Sequence, residues 1–204
     1  VLHQQTRLLG YLDSPYWLEM TPFADLIQPE HSARLQTKHV VELMKTEAIV
    51  ADPGLCRLDE TWKCAFGEYR IPLLKTPFLV VASMYDWFQL QMAQGAECCA
   101  FPKPQREYFK YADEFANRTR QRLGELPQVE SGVSGVFSST CYDHYISKWP
   151  DFSSETTLGI SMEDALRQAL AAFDSPTAEM PRVIDSCRGF NCGLGCTKHP
   201  DKKT

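Results

Sequence analysis

The run Lys75-Thr-Pro-Phe-Leu-Val-Val-Ala-Ser-Met-Tyr-Asp86-Trp-Phe-Gln-Leu90 constrains this chain more than any other. From Phe78 to Met84 it is almost continuously apolar, the pattern of a central strand buried on both faces. An acid, Asp86, follows at its carboxyl end. A later stretch, Ser131-Gly-Val-Ser-Gly-Val-Phe-Ser-Ser-Thr-Cys-Tyr-Asp-His144, repeats the arrangement with a histidine as its last residue. Neighbouring parallel strands bring groups at their carboxyl ends together, which is where sheets of this kind carry sites. Spacing alone leaves two readings open. Asp86 and His144 form a catalytic pair, or Asp86 caps a helix that begins near Trp87 and His144 is an ordinary loop histidine.

The rest of the chain alternates strand and helix signals, which implies a parallel α/β sheet in a single domain over residues 1–204. Arg7–Leu12 has strand character and is stopped by Asp13-Ser14-Pro15. A helix is expected from Pro29 to about Met44, with Leu35, Val40, Val41 and Leu43 on its apolar side. Gln105–Leu126 reads as an amphipathic helix with Tyr108, Tyr111, Ala112, Phe115, Thr119 and Leu123 inward. Val133–Ser138 is the next strand. Ser161-Met-Glu-Asp164 resembles a capping box, with Asp for the usual Glu or Gln, and opens a helix burying Met162, Ala165, Leu166, Ala169, Leu170 and Phe173.

Acid after one strand and histidine after a later one is the chain order of the second and third triad members in α/β-hydrolases. A serine hydroxyl is a weak nucleophile until an imidazole takes its proton. That imidazole needs a carboxylate to fix its tautomer and to stabilise it once protonated. The triad's serine belongs upstream in a Gly-x-Ser-x-Gly turn, and no such turn occurs in the 204 residues. Ser131 and Ser134 lie within the approach to the histidine's own strand and do not replace it. Trp87, Phe88, Tyr142 and Tyr145 either line an acyl pocket or belong to the core.

Net charge of −5 and a pI near 5.6 exclude a general nucleic-acid binder, which needs a basic face. No apolar run approaches the roughly 20 residues of a membrane helix. Eight cysteines with a C-terminal cluster point to disulfides and an oxidising compartment. Cys56 with Cys64 is one expected bridge. Cys187, Cys192, Cys196 and His199 could instead hold zinc, but the spacing matches no common finger and disulfides are favoured. Asn117-Arg-Thr119 is an N-glycosylation sequon. The chain is expected to be secreted, to the extracellular space or cell wall.

Several stretches together resemble the pectin acetylesterase and Notum family of secreted carboxylesterases. Thr76–Leu90 is similar to the family's acid-bearing strand, and Gly135–His144 to its histidine segment, most closely in plant-type members. Trp62-Lys-Cys-Ala-Phe-Gly67 and Val183-Ile-Asp-Ser-Cys-Arg-Gly-Phe-Asn-Cys-Gly-Leu-Gly-Cys196 are Notum-like. Leu12-Asp-Ser-Pro-Tyr-Trp-Leu18 resembles the stretch that follows the family's nucleophile region, with Pro15 in place of its usual glycine. The resemblance implies an α/β-hydrolase-like, mainly parallel sheet flanked by helices and lacking its N-terminal strands. It implies a serine carboxylesterase in which Asp86 and His144 are catalytic and the serine, in a Gly-x-Ser-Ala-Gly-Gly turn, lies outside this chain. No metal or organic cofactor is needed. The expected partners are an acylated polysaccharide or acylated protein as substrate and an N-terminal fragment of the same enzyme. Acetyl esters on carbohydrate are the favoured substrate; a Notum-like deacylase and a non-catalytic binding protein on the same scaffold are the alternatives. A sheet without its early strands exposes an edge, so the chain alone is expected to aggregate or to need that fragment.

Overall fold

The computed structural model describes residues 7–23, 32–45, 58–94, 106–127, 134–148, 151–154, 156–175, 177–189, 192 and 196. Strands β1 (Gly10–Asp13), β2 (Phe78–Val81), β3 (Ser134–Ser138) and β6 (Arg182–Ile184) form one sheet in that spatial order. Every pairing in it is parallel, with Val81 opposite both Asp13 and Phe137. A small antiparallel hairpin, β4 (Thr156–Thr157) with β5 (Ile160–Ser161), stands apart.

Strand β2 has no exposed residue, as its unbroken apolar run requires, and its side chains divide between two cores. Phe78 and Val80 point to one face, where Val136 and the helix α4 (Arg106–Gly124) supply Tyr108, Ala112, Phe115 and Leu123. Leu79 and Val81 point to the other, against Phe137, Val183 and the helix α6 (Met162–Asp174). The strand alternation thus places one helix on each face of the sheet. Helix α6 starts at the expected capping box, the Ser161 hydroxyl accepting from the Asp164 amide at 3.0 Å while Asp164 returns to the Ser161 backbone. Its buried line is Met162, Ala165, Ala169 and Ala172; Leu170, expected inward, is 49% exposed.

The helix α1 (Ala33–Met44) differs from its sequence pattern. Ser32 caps it, and of the four apolar residues expected to share a face only Val41 is buried. Val41 packs with Trp62 and Phe66, from the 3-10 helix Leu58–Ala65 and the turn after it. Ala33 packs beside it, and Arg34 and Lys38 lie over the Trp62 ring, so the covered face runs through these residues; Val40 lies off it, where with Val41 it lines a cavity, and Leu43 is 80% exposed.

Short helices complete the frame: α2 (Gly67–Arg70), α3 (Trp87–Gln94) and α5 (Asp151–Ser154). Gly67 is fixed by close approach, because a Cβ there would lie 2.1 Å from the carbonyl oxygen of Pro15. The segment after β1 is tied further by Glu68, whose carboxylate is fully buried and receives Arg118 at 3.1 and 2.8 Å. Glu68 also accepts the Glu19 amide. The turn at Asp13-Ser14-Pro15 places Ser14 in the left-handed region at φ 55°. Two disulfides, Cys141–Cys196 and Cys187–Cys192, fasten the C-terminal segment. They take up the three cysteines considered as zinc thiolates; His199, and Cys56 of the expected Cys56–Cys64 bridge, lie outside the described residues.

Candidate active site

Asp86 sits five residues past the end of β2 and one before α3, and its two oxygens do different work. Oδ1 accepts the amide protons of Phe88 and Gln89, each at 3.1 Å, and so caps α3. Oδ2 lies 2.8 Å from Nδ1 of His144. The cap and the imidazole contact, alternatives at the level of sequence, are both present in one carboxylate. Both side chains are about 4% exposed. A carboxylate can only accept, so Nδ1 carries the proton and Nε2 is left as the acceptor. This is the tautomer a general base needs.

His144 reaches this position because β3 continues beside β2 beyond the regular ladder. Ala82 donates to the Phe137 carbonyl at 3.1 Å and Met84 to that of Ser139 at 2.8 Å. Three residues before His144, Cys141 is bonded to Cys196. After it, the chain turns sharply at Tyr145, whose φ is 60°. Aromatic rings enclose the imidazole. Phe88 stacks on it with centroids 5.0 Å apart and planes at 22°, Tyr145 approaches to 4.0 Å, and Trp87 stands edge-on at 6.3 Å. Tyr142 instead belongs to the core, stacked on Tyr85 at 4.9 Å. Of the four aromatics singled out in the sequence, three surround the histidine and one is buried behind it.

Gln89 completes the acid's surroundings. Its Nε2 donates to Asp86 Oδ2 at 3.1 Å and to the Tyr16 carbonyl at 3.2 Å, and its Oε1 accepts the Leu18 amide at 3.1 Å. One buried amide therefore holds the carboxylate and the 16–18 segment together. Sequence reasoning passed over Gln89. Its position, one helical turn after the capping acid, was the available signal. Ser134 opens β3 at the opposite end of the strand from His144 and donates to the Pro127 carbonyl at 2.6 Å; Ser131 lies outside the described residues.

An apolar cavity of about 420 Å³ lies nearby, lined by Trp17, Val40, Val41, Phe66 and Met92 among others. Trp17 meets Phe88 edge-to-face at 5.8 Å, so a single aromatic ring separates the cavity wall from the imidazole. Neither Phe88 nor His144 lines it. Arg34 and Lys38 of α1, with Lys63, lie 5.0–5.7 Å from the Trp62 ring beside this wall. Among the described residues, no three His, Cys, Asp or Glu side chains gather as a metal-binding group, and no helix is long and apolar enough to cross a membrane.

Comparison with known proteins agrees with this architecture. The family model described as Pectinacetylesterase matches residues 1–196. The fold is similar to crystal structures of the Wnt deacylase Notum from Drosophila in two crystal forms. One superposes with a TM-score of 0.67 at 21% identity, covering 89% of this chain and 47% of that one. The other gives 0.66 at 20% identity with the same coverage. The chain thus spans about half the length of the Notum structures it matches, and the likeness is one of α/β-hydrolase fold. No curated protein matches the sequence.

Proposed function

The chain belongs to the pectinacetylesterase family, and we propose that it forms part of a secreted serine carboxylesterase that removes acetyl groups from a polysaccharide. The observation that carries the reading is the buried contact between Asp86 Oδ2 and His144 Nδ1, at the carboxyl ends of adjacent parallel strands, with Nε2 left free to accept a proton.

In this mechanism a serine supplied by a part of the enzyme outside this chain attacks the ester carbonyl. His144 Nε2 takes the serine proton as the C–O bond forms, then gives it to the departing alcohol as the tetrahedral intermediate collapses to the acyl-enzyme. Water attacks the acyl-enzyme with the same proton traffic, releasing the carboxylic acid and restoring the serine. Asp86 holds the imidazole and stabilises its positive charge in both steps. This chain, without the serine, is inactive by itself. The disulfides fit an extracellular or cell-wall location, and Asn117, exposed on α4, is the proposed glycan site.

Phe88 favours a short acyl group, because its ring covers one face of the imidazole and stands between it and the cavity. The cavity itself supports a second reading, deacylation of a lipidated protein. Its volume is far beyond an acetyl group, and each methylene buried there would contribute ~0.8 kcal/mol. Hydrolysis of nitrophenyl esters from acetate to decanoate by the complete enzyme tests both. The proposal expects highest kcat/KM for acetate and its loss in His144→Ala. A preference for octanoate establishes the second reading, and full activity in His144→Ala refutes the esterase assignment.

A further inference from the structure

The Asp13-Ser14 pair at the carboxyl end of β1 has no part in the chemistry above, yet both side chains reach across more than 130 residues of sequence to the backbone just after His144. Ser14 Oγ, 3% exposed, accepts the amide proton of Tyr145 at 2.8 Å. Asp13 Oδ2 accepts the Ser147 amide at 3.1 Å and also the Ser147 hydroxyl. The Ser14 hydroxyl donates to Asp13 Oδ1 at 3.1 Å, which orients its lone pairs toward Tyr145. Ser14 is itself fixed to the acid's strand, its amide donating to the Val81 carbonyl at 2.8 Å.

Both partners in the first contact carry backbone strain. Ser14 has φ 55° and Tyr145 φ 60°, the left-handed region that residues with a Cβ enter only at a steric cost. Strain of this kind persists only where surrounding contacts fix it. Here the two strained residues hold each other, one through its side chain and the other through its amide. The turn at Tyr145 determines the direction in which the preceding residue, His144, projects. The 3-10 turn Ile146–Lys148 that follows has one of its first free amides, that of Ser147, bound by Asp13, a cap supplied from a distant strand.

We propose that Asp13 and Ser14 are positioning residues for His144: by clamping the Tyr145 and Ser147 amides they hold the imidazole against Asp86 with Nε2 aimed at the reacting serine. The proposal rests on the reading of His144 as general base. Misplacement of a catalytic group by about 1 Å costs on the order of 100-fold in rate, so the clamp is expected to act on kcat rather than on substrate binding.

The test uses the complete enzyme with Ser14→Gly, which accepts the positive φ without the hydroxyl, and Asp13→Asn, which keeps the shape and loses the charge. Four quantities are read: kcat and KM for nitrophenyl acetate, Tm, and the deshielded Nδ1 proton that an imidazole–carboxylate hydrogen bond gives in proton NMR. The expected result is a kcat lowered about 10- to 100-fold, a KM within about twofold, a Tm within a few degrees and a broadened or lost Nδ1 resonance. Wild-type kcat together with an unchanged Nδ1 resonance in both variants overturns the clamp. So does a rate loss that disappears at a lower temperature where the variants are fully folded. A wild-type enzyme with no Nδ1 resonance, still active as His144→Ala, overturns the functional reading and the clamp with it. That outcome is recognised from the wild-type enzyme and His144→Ala, without either clamp variant.

Discussion

Gln89 shares with His144 a single oxygen of Asp86: its Nε2 lies 3.1 Å from Oδ2, the atom that faces Nδ1 at 2.8 Å. The carboxylate is thus held from three directions, by the α3 amides, by the glutamine and by the imidazole. Gln89→Leu leaves the Leu18 amide and the Tyr16 carbonyl unpaired in a buried place, at a cost of about 1–3 kcal/mol for each group so exposed. Gln89→Glu has a different consequence. A second carboxylate beside the pair favours the imidazolium, so the acid limb of the pH–rate profile of the complete enzyme is expected to move to higher pH. An unmoved limb in an active Gln89→Glu enzyme contradicts this arrangement.

Asp86→Asn separates the two duties of the acid. The amide oxygen can still accept from Phe88 and Gln89, so α3 stays capped, but the NH2 group at the Oδ2 position faces the Nε2 donor of Gln89, and the lost hydrogen bond lowers stability by about 1–3 kcal/mol. The same NH2 group, placed toward Nδ1, selects the wrong tautomer. A loss of kcat on the order of 10⁴ is expected by analogy with the corresponding change in serine proteases. A loss below tenfold would show that Asp86 serves the helix alone.

Cys141–Cys196 joins the loop that carries His144 to the C-terminal segment across 55 residues. Replacing both cysteines by serine releases that constraint on the unfolded chain. The expected destabilisation is about 2–4 kcal/mol, measured by denaturant unfolding under non-reducing conditions. Unchanged stability would mean that the arginine contacts to this segment, Arg120 to the Asp185 and Cys187 carbonyls, suffice without it.

Six tyrosines ionise above the usual phenol range, for a common reason. Burial is the leading cause at Tyr11, Tyr16, Tyr69, Tyr85, Tyr108 and Tyr111, with Asp13 adding at Tyr11 and a hydrogen bond to Asp113 at Tyr85. Tyr11 is pushed up to about 12. Between the unfolded value, 10.0, and these raised values the native state keeps protons that the unfolded chain releases. Stability is therefore whole below pH 10 and falls as pH rises through that window. Absorbance at 295 nm should show these six phenols silent at pH 10.5 in the native protein and titrating once it unfolds. A full native titration centred at pH 10 contradicts this.

What the sequence made legible follows from where each signal lies. The apolar run of β2 is uninterrupted because the strand is buried on both faces, so it declared itself, with Asp86 after it; β3, equally buried, is marked instead by small residues around Val136 and Phe137 on the way to His144. The capping box at Ser161 is local and was readable for the same reason. Gln89 was readable only in part: its place one turn after the capping acid is local, but its partners Tyr16 and Leu18 are some seventy residues away and meet it only through tertiary packing. The orientation of α1 was not readable, because its apolar residues divide between a contact at Val41, a cavity wall at Val40 and solvent at Leu43. Periodicity reports a face without saying what covers it. At Pro15, which stands where the family's usual glycine would, the left-handed turn falls on Ser14, one residue before the proline, and Gly67 makes room for the Pro15 carbonyl.

The central claim is that Asp86 and His144 activate a serine, and it is tested most directly by the rate at which a fluorophosphonate labels the complete enzyme. This reading depends on no substrate. A single serine is expected to be labelled in the wild type, at a rate at least about 100-fold lower in His144→Ala. Equal labelling of the two proteins, or no labelling of a folded wild type, would contradict it.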